Sequence, residues 1–149
     1  MGSRRTAREL ALQYLFGQEF QNKMTAAQWL TQYAQDFEAQ VGGQVDGQFK
    51  IHPEVLGFTQ NLCEGVLKHK AQIDPVIQSH SAHWKLSRMS LVDINILRVA
   101  VFEMHFSESP LPPKVIMNEA IDIAKVYGSV DSGAFVNGII DQIAKSLHK

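Results

Sequence analysis

SLVDINILRVAVFEMHF, residues 90–106, is the stretch whose reading decides the fold. Eleven of its seventeen residues are apolar, and wound at the helical period they cover nearly the whole circumference. A helix that is apolar all round is buried, in a protein core or in a membrane. This one is too short and too charged to span a bilayer. It therefore reads as the central helix of a helical bundle. Ser90, with Asp93 three residues on, resembles a capping box and marks the start. Asn95, Arg98 and His105 fall on one narrow stripe and predict a side that faces polar partners. Asp93 and Glu103 sit outside that stripe, between apolar neighbours.

Working outward, every segment with a pattern repeats at the helical period. Upstream, Asp74-Pro75 is a capping residue followed by proline and predicts the start of a short helix reaching His80. Trp84 and Leu86 are expected to anchor the following linker on the core. Before that, Pro53 suits the first turn of a helix carrying Val55, Leu56, Thr59, Leu62, Cys63 and Val66 on one side. Thr25 and Gln28 form a box-like pair that opens a helix with Trp29, Leu30, Tyr33, Ala34 and Phe37 inward. Residues 40–52 hold Gly42, Gly43 and Gly47 and form the longest loop. No lysine follows those glycines at the spacing of a phosphate-binding loop. Downstream, the run ESPLPP at residues 108–113 breaks the chain. A helix then carries Val115, Ile116, Ala120, Ile121, Ile123 and Ala124, with Gly128 at its C-terminal cap position. Asp131 or Ser132 caps the last helix, with Val136, Ile139, Ile140 and Ile143 inward. No strand pattern stands out. The expectation is an all-α chain of about seven helices in two packed helical subdomains, residues 1–81 and 82–149.

The totals narrow the function. Net charge is −1, so a generally basic nucleic-acid coat is excluded and any nucleic-acid site must be local. One cysteine, Cys63, lies in an apolar-periodic segment and reads as a small core hydrophobe. It allows no disulfide within the chain, which fits a reducing, cytoplasmic setting. No signal-peptide pattern or membrane span stands out. His69, His80 and His83 lack cysteine or carboxylate ligands at a known metal spacing and read as surface residues. No catalytic triad, metal motif or nucleotide loop appears, so neither an enzyme nor a cofactor is expected.

One polar feature of the first helix calls for a physical reason. Arg4, Arg5 and Arg8 lie beside its apolar face, and Leu12 and Phe16 continue the same strip. Cations in the first turns oppose the helix dipole, at a cost on the order of a few tenths of a kcal/mol each. An anionic ligand would offset it. A solvated, frayed N-terminus is the other reading, and the residues alone leave both open.

Three segments, in this order, resemble the NusB family of bacterial transcription antitermination factors. They are RRTARELALQYLF at residues 4–16, VDINILRVAVFEM at 92–104 and VIMNEAIDIAKVYGSVDSGAFVNGIID at 115–141. The last is the most specific, with NEAIDIAK, a glycine, then FVNGIID at the family's spacing. The resemblance runs along the whole chain and is weakest over residues 20–85. It implies two helical subdomains and a non-enzymatic role. Family members pair with NusE, a small-subunit ribosomal protein. The pair binds the single-stranded boxA element of ribosomal RNA leaders and joins an elongation complex, with other Nus factors, that resists termination. Some members also form homodimers, which would cover the arginine strip.

The resemblance also assigns residues. Arg4, Arg5 and Arg8 match the RNA-contacting arginine motif, and Phe16 an aromatic position on the same helix. Phe135 matches an aromatic position implicated in RNA contact from the second subdomain, and Asp131 an acidic position beside that surface. Asp93 matches an acidic position that faces NusE. Two residues depart from the family: Thr6 interrupts the arginine run, and Ala134 stands where lysine is common. Both remove positive charge. Arginines on phosphates and aromatics under unstacked bases are how single-stranded RNA is generally held. Core packing remains the alternative for Phe16 and Phe135, and helix capping for Asp93. A related reading is an RNA-recognition module serving ribosomal RNA maturation or modification. No Rossmann glycine motif accompanies it here.

Overall fold

The computed structural model describes residues 2–20, 24–41, 52–81, 84–108 and 110–147. Among them the chain is all-α, with six α-helices: α1 (Gly2–Gln18), α2 (Ala26–Val41), α3 (Pro53–Ser79), α4 (Leu91–Val101), α5 (Pro113–Tyr127) and α6 (Ser132–Leu147). A short 3-10 turn at Leu86–Arg88 precedes α4, and a π-helical turn at Phe102–Phe106 ends it. The chain divides into two compact units, Met1–Glu64 and Gly65–Lys149, with the division inside α3. No helix among the described residues is long and apolar enough to cross a membrane. Most of the 40–52 loop, and His83, lie outside the described residues.

In the first unit, Ala7, Leu10 and Val55 form a buried cluster, with Trp29, Tyr33 and Phe58 packed against it. The Thr25–Gln28 box is present in both directions. Thr25 N donates to Gln28 Oε1 at 3.0 Å and Gln28 N to Thr25 Oγ1 at 3.1 Å, which satisfies two N-terminal amides of α2. Trp29 stacks on Tyr33 and meets Tyr14 edge-on. Burial, then Cys63 and Glu64 nearby, push the Tyr14 hydroxyl's pKa up. It stays protonated and donates to Met24 O at 2.8 Å. Cys63 is fully buried, as its pattern predicts.

In the second unit α4 packs against both α5 and α6, which pack on each other. The all-round apolar reading of α4 holds: every residue from Asp93 to Val101 is buried. Ser90 caps it, accepting from Asp93 N at 3.0 Å. The helix then widens into its π turn, where Ser107 N donates to Phe102 O, five residues back. Gly65 makes room for this segment, since a Cβ there would collide with the Phe102 ring. Gly128 ends α5 with φ −98°, so the left-handed conformation that favours glycine is not used. The glycine is needed for space instead: a Cβ would collide with Ser132 Oγ and crowd Ala124 O.

Asp74-Pro75 does not begin a helix, which is why six helices replace the expected seven. Both residues lie inside the continuous α3. Proline inside a helix lacks one hydrogen bond and typically costs ~3 kcal/mol or more. Two contacts on either side keep the chain helical. Ile73 and Ile77, one turn apart, are both fully buried. Asp74 holds Arg98 of α4 with two bonds, Nε to Oδ1 at 2.9 Å and NH2 to Oδ2 at 3.0 Å. Arg98 NH1 also donates to Asn95 Oδ1 at 3.0 Å. The polar stripe of α4 thus finds its partner on α3, while His105 remains exposed.

Candidate nucleic-acid interface

Two groups of the expected residues can be built up, one in each unit. On α1, Arg4 is exposed, Arg5 is half-exposed and Phe16 is 37% exposed. Arg5 and Phe16 are eleven residues apart, about three full turns, so they lie on nearly the same line of the helix. Phe16 pairs with the exposed ring of Phe20, their centroids 5.2 Å apart. These two rings give α1 an open aromatic end beyond its arginine end.

Arg8 departs from the open strip. It is only 4% exposed. Its guanidinium lies 5.7 Å from the centre of the Phe58 ring, and that of Arg4 lies 5.4 Å from the same ring. Arginine over an aromatic face is a favourable cation–π placement. The long aliphatic stem also packs while the charged head stays polar-facing. Spacing alone put Arg8 beside the apolar face of α1; Phe58, supplied by α3, turns that edge into a covered one. Nothing in the sequence pattern singled out Phe58.

In the second unit, Asp131 is exposed and immediately precedes α6, its carbonyl accepting from Phe135 N at 3.1 Å. Ser132 Oγ closes the turn by accepting from Ser129 N at 2.9 Å. Phe135 is half-buried, and its ring meets Trp84 edge-on with centroids 6.3 Å apart. Trp84 itself is 54% exposed, so it does not anchor the linker as expected. Beside this turn an open cleft of about 460 Å³ is lined by Ile121, Lys125, Val130, Ala134 and Asn137. Lys125 thus brings a positive charge to the cleft that Ala134 lines without one.

Asp93 lies within α4 and is 9% exposed. That is less accessible than a docking surface would lead one to expect. Its backbone N–H serves the Ser90 cap, but Oδ1 of its side chain has no hydrogen-bond partner among the described residues. A buried acceptor without a partner is uncommon and costs about 1–3 kcal/mol. No group of three or more metal-ligating side chains gathers among the described residues.

Sequence comparison places these features in a family. The NusB family model matches residues 5–145, nearly the whole chain. The chain belongs to the NusB family. The "Transcription antitermination protein NusB" of Bdellovibrio bacteriovorus is 42% identical over 144 residues, covering 97% of this chain and 96% of that relative. The structure of T. maritima NusB is 33% identical, with a TM-score of 0.72 over 95% of this chain and 90% of that one. A crystal structure of antitermination factors NusB and NusE in complex with double-stranded RNA has the same fold, at 24% identity and a TM-score of 0.70, covering 98% of each chain. The NusB relationship spans both units and includes the segments that carry Arg5, Phe16, Asp93 and Phe135.

Proposed function

We propose that this chain is a transcription antitermination factor that binds boxA-type single-stranded RNA of ribosomal RNA leaders together with NusE. It acts in the cytoplasm as part of an elongation complex with other Nus factors. The observation that carries this reading is α1 of a NusB family member: two accessible arginines and an accessible aromatic along one helix. The arginines take phosphates, and Phe16 stacks under a base. Arg8 acts from behind, holding the Phe58 ring against which Arg4 also rests. In the second unit Phe135 offers a further ring, and the exposed carboxylate of Asp131 accepts from base N–H groups.

NusE is the partner this reading favours, because a structure of the same fold joins NusB to it. Asp93, 9% exposed at the start of α4, is the acidic residue we assign to that contact. With a net charge of −1, the chain alone binds RNA weakly, and NusE adds to the affinity.

The test is affinity for a boxA-like RNA against salt concentration, with and without NusE. Wild type, the Arg4→Gln/Arg5→Gln double variant and Phe16→Ala are compared, each checked by circular dichroism. Losing two phosphate contacts should flatten the salt slope by roughly 1.4, at about 0.7 per contact on a single strand. Phe16→Ala should lower affinity by roughly 1–3 kcal/mol at every salt concentration, with the slope kept. Equal slopes for wild type and the arginine variant would remove α1 from the RNA site.

A further inference from the structure

We propose that Trp84 is a base-stacking residue, forming with Phe135 a two-ring platform for single-stranded RNA. The proposal rests on the RNA-binding reading above and adds a residue that neither the family resemblance nor the sequence pattern assigns to it. Its first ground is exposure. An indole offers about 150–250 Å² of surface that folding normally buries. Trp84 leaves 54% of its surface open, whereas Trp29, the other tryptophan, is part of a packed cluster.

The second ground is rigidity, for the exposed ring is not on a loose segment. Trp84 N donates to Ser81 O at 3.0 Å. Trp84 O accepts from Gln78 Nε2 at 2.9 Å, while Ser81 Oγ donates back to Ile77 O at 2.9 Å and so fixes the residue that Trp84 N bonds. The same Gln78 side chain accepts from Leu86 N at 3.0 Å. Gln78, in the last turn of α3, therefore clamps the backbone on both sides of Lys85. A ring with a fixed backbone loses little conformational entropy when a ligand arrives, which is what a recognition platform needs.

The third ground is the setting. Phe135 meets Trp84 at an interplanar angle of 85°, an edge-to-face pair that fixes the two rings relative to each other. Lys85 and Arg88 are both exposed. They bracket the 3-10 turn at Leu86–Arg88, Lys85 as its extended N-cap residue and Arg88 as its last residue. Two exposed cations within four residues of a displayed aromatic supply phosphate contacts next to a stacking surface. Single-stranded nucleic acid needs that combination, because every base has a π-face and every linkage a charge.

The experiment labels both tryptophans of the full chain with fluorotryptophan, adds unlabelled NusE and titrates a boxA-like RNA while recording fluorine NMR. Trp84→Phe assigns the two resonances. The Trp84 resonance should shift with RNA, and that of Trp29 should stay. Trp84→Ala should weaken RNA binding of the NusE-saturated protein about fivefold to a hundredfold at all salt concentrations, and Trp84→Phe should restore most of it. An unmoved Trp84 resonance, with wild-type RNA affinity in Trp84→Ala, overturns the proposal and leaves the RNA-binding reading standing. Weaker NusE binding without RNA, with unchanged RNA affinity at saturation, assigns Trp84 to the protein interface and also overturns it. Absence of any boxA-like RNA binding by the wild-type protein with NusE overturns the functional reading, and this proposal with it.

Discussion

Replacing Asp74 by alanine tests whether α3 is held through Pro75 by the contact to α4. The change removes two charge-assisted hydrogen bonds, at 2.9 and 3.0 Å, from an arginine whose side chain is only 8% exposed. Breaking a fully buried ion pair by removing one partner costs about 3–5 kcal/mol, because the remaining charge is left uncompensated. Three facts lower that figure. The Asp74 side chain is 21% exposed, so water can reach part of the vacated site. Asn95 Oδ1 still accepts from Arg98 NH1. Alanine is also the better helix former, by about half a kcal/mol. The net expectation is a loss of about 2–4 kcal/mol. At about 2–4 °C per kcal/mol for a chain of this size, the melting temperature should fall by roughly 4–16 °C. Urea and thermal unfolding followed by circular dichroism measure it, in a double-mutant cycle with Arg98→Met. A melting temperature within about 2 °C of wild type, together with a coupling energy below about 0.5 kcal/mol, would refute the reasoning.

Three further outcomes are expected. Gly65→Ala should destabilise by about 1–3 kcal/mol through collision with the Phe102 ring, and Phe102→Leu in the same chain should recover part of the loss; melting of the single and double variants decides it. Cys63 should not react with a thiol reagent at pH 8 until the protein unfolds, because burial, with Glu64 beside it, pushes the thiol up to about 12 from its ordinary 9.0. An acid whose pKa is raised by folding is stabilising only while both states stay protonated, so this contribution is lost as pH rises above about 9. A Cys63→Ala variant should therefore show a shallower loss of stability between pH 9 and 11, and an identical slope would contradict the assignment. Asp93→Asn should keep the melting temperature within a few degrees yet weaken NusE binding about tenfold or more, the worth of a charged hydrogen bond. Unchanged binding in a calorimetric titration would leave Asp93 with only its place in the α4 cap.

What the sequence by itself determined about this protein is local. The Thr25–Gln28 box and the Ser90 cap each close within four residues, so the residue types at that spacing are sufficient to predict them. The burial of α4 is equally legible, since a helix with apolar residues on every side has no stable place in water. The inward stripe of α6 is readable from its helical spacing, which puts Val136, Ile139, Ile140 and Ile143 on one face. So are Arg4 and Arg5 as accessible residues of α1, because they lie beside its apolar face, whereas for Phe16 the sequence left core packing open and the structure leaves the ring 37% exposed.

Only the tertiary structure decided the rest, through partners distant in the chain. Asp74-Pro75 carries a local signal to start a helix. Arg98, 24 residues away, and the buried pair Ile73 and Ile77 override it. Arg8 is read from its own helix as accessible, but Phe58, 50 residues on, covers it. Trp84 has the composition of a core anchor, yet Gln78 and Ser81 hold its backbone by polar bonds and leave the ring outside. Propensities and caps act over one helical turn and are each worth about a kcal/mol, whereas burial and paired charges act between elements and sum to more. Where the two disagree in this protein, the contact between elements prevails.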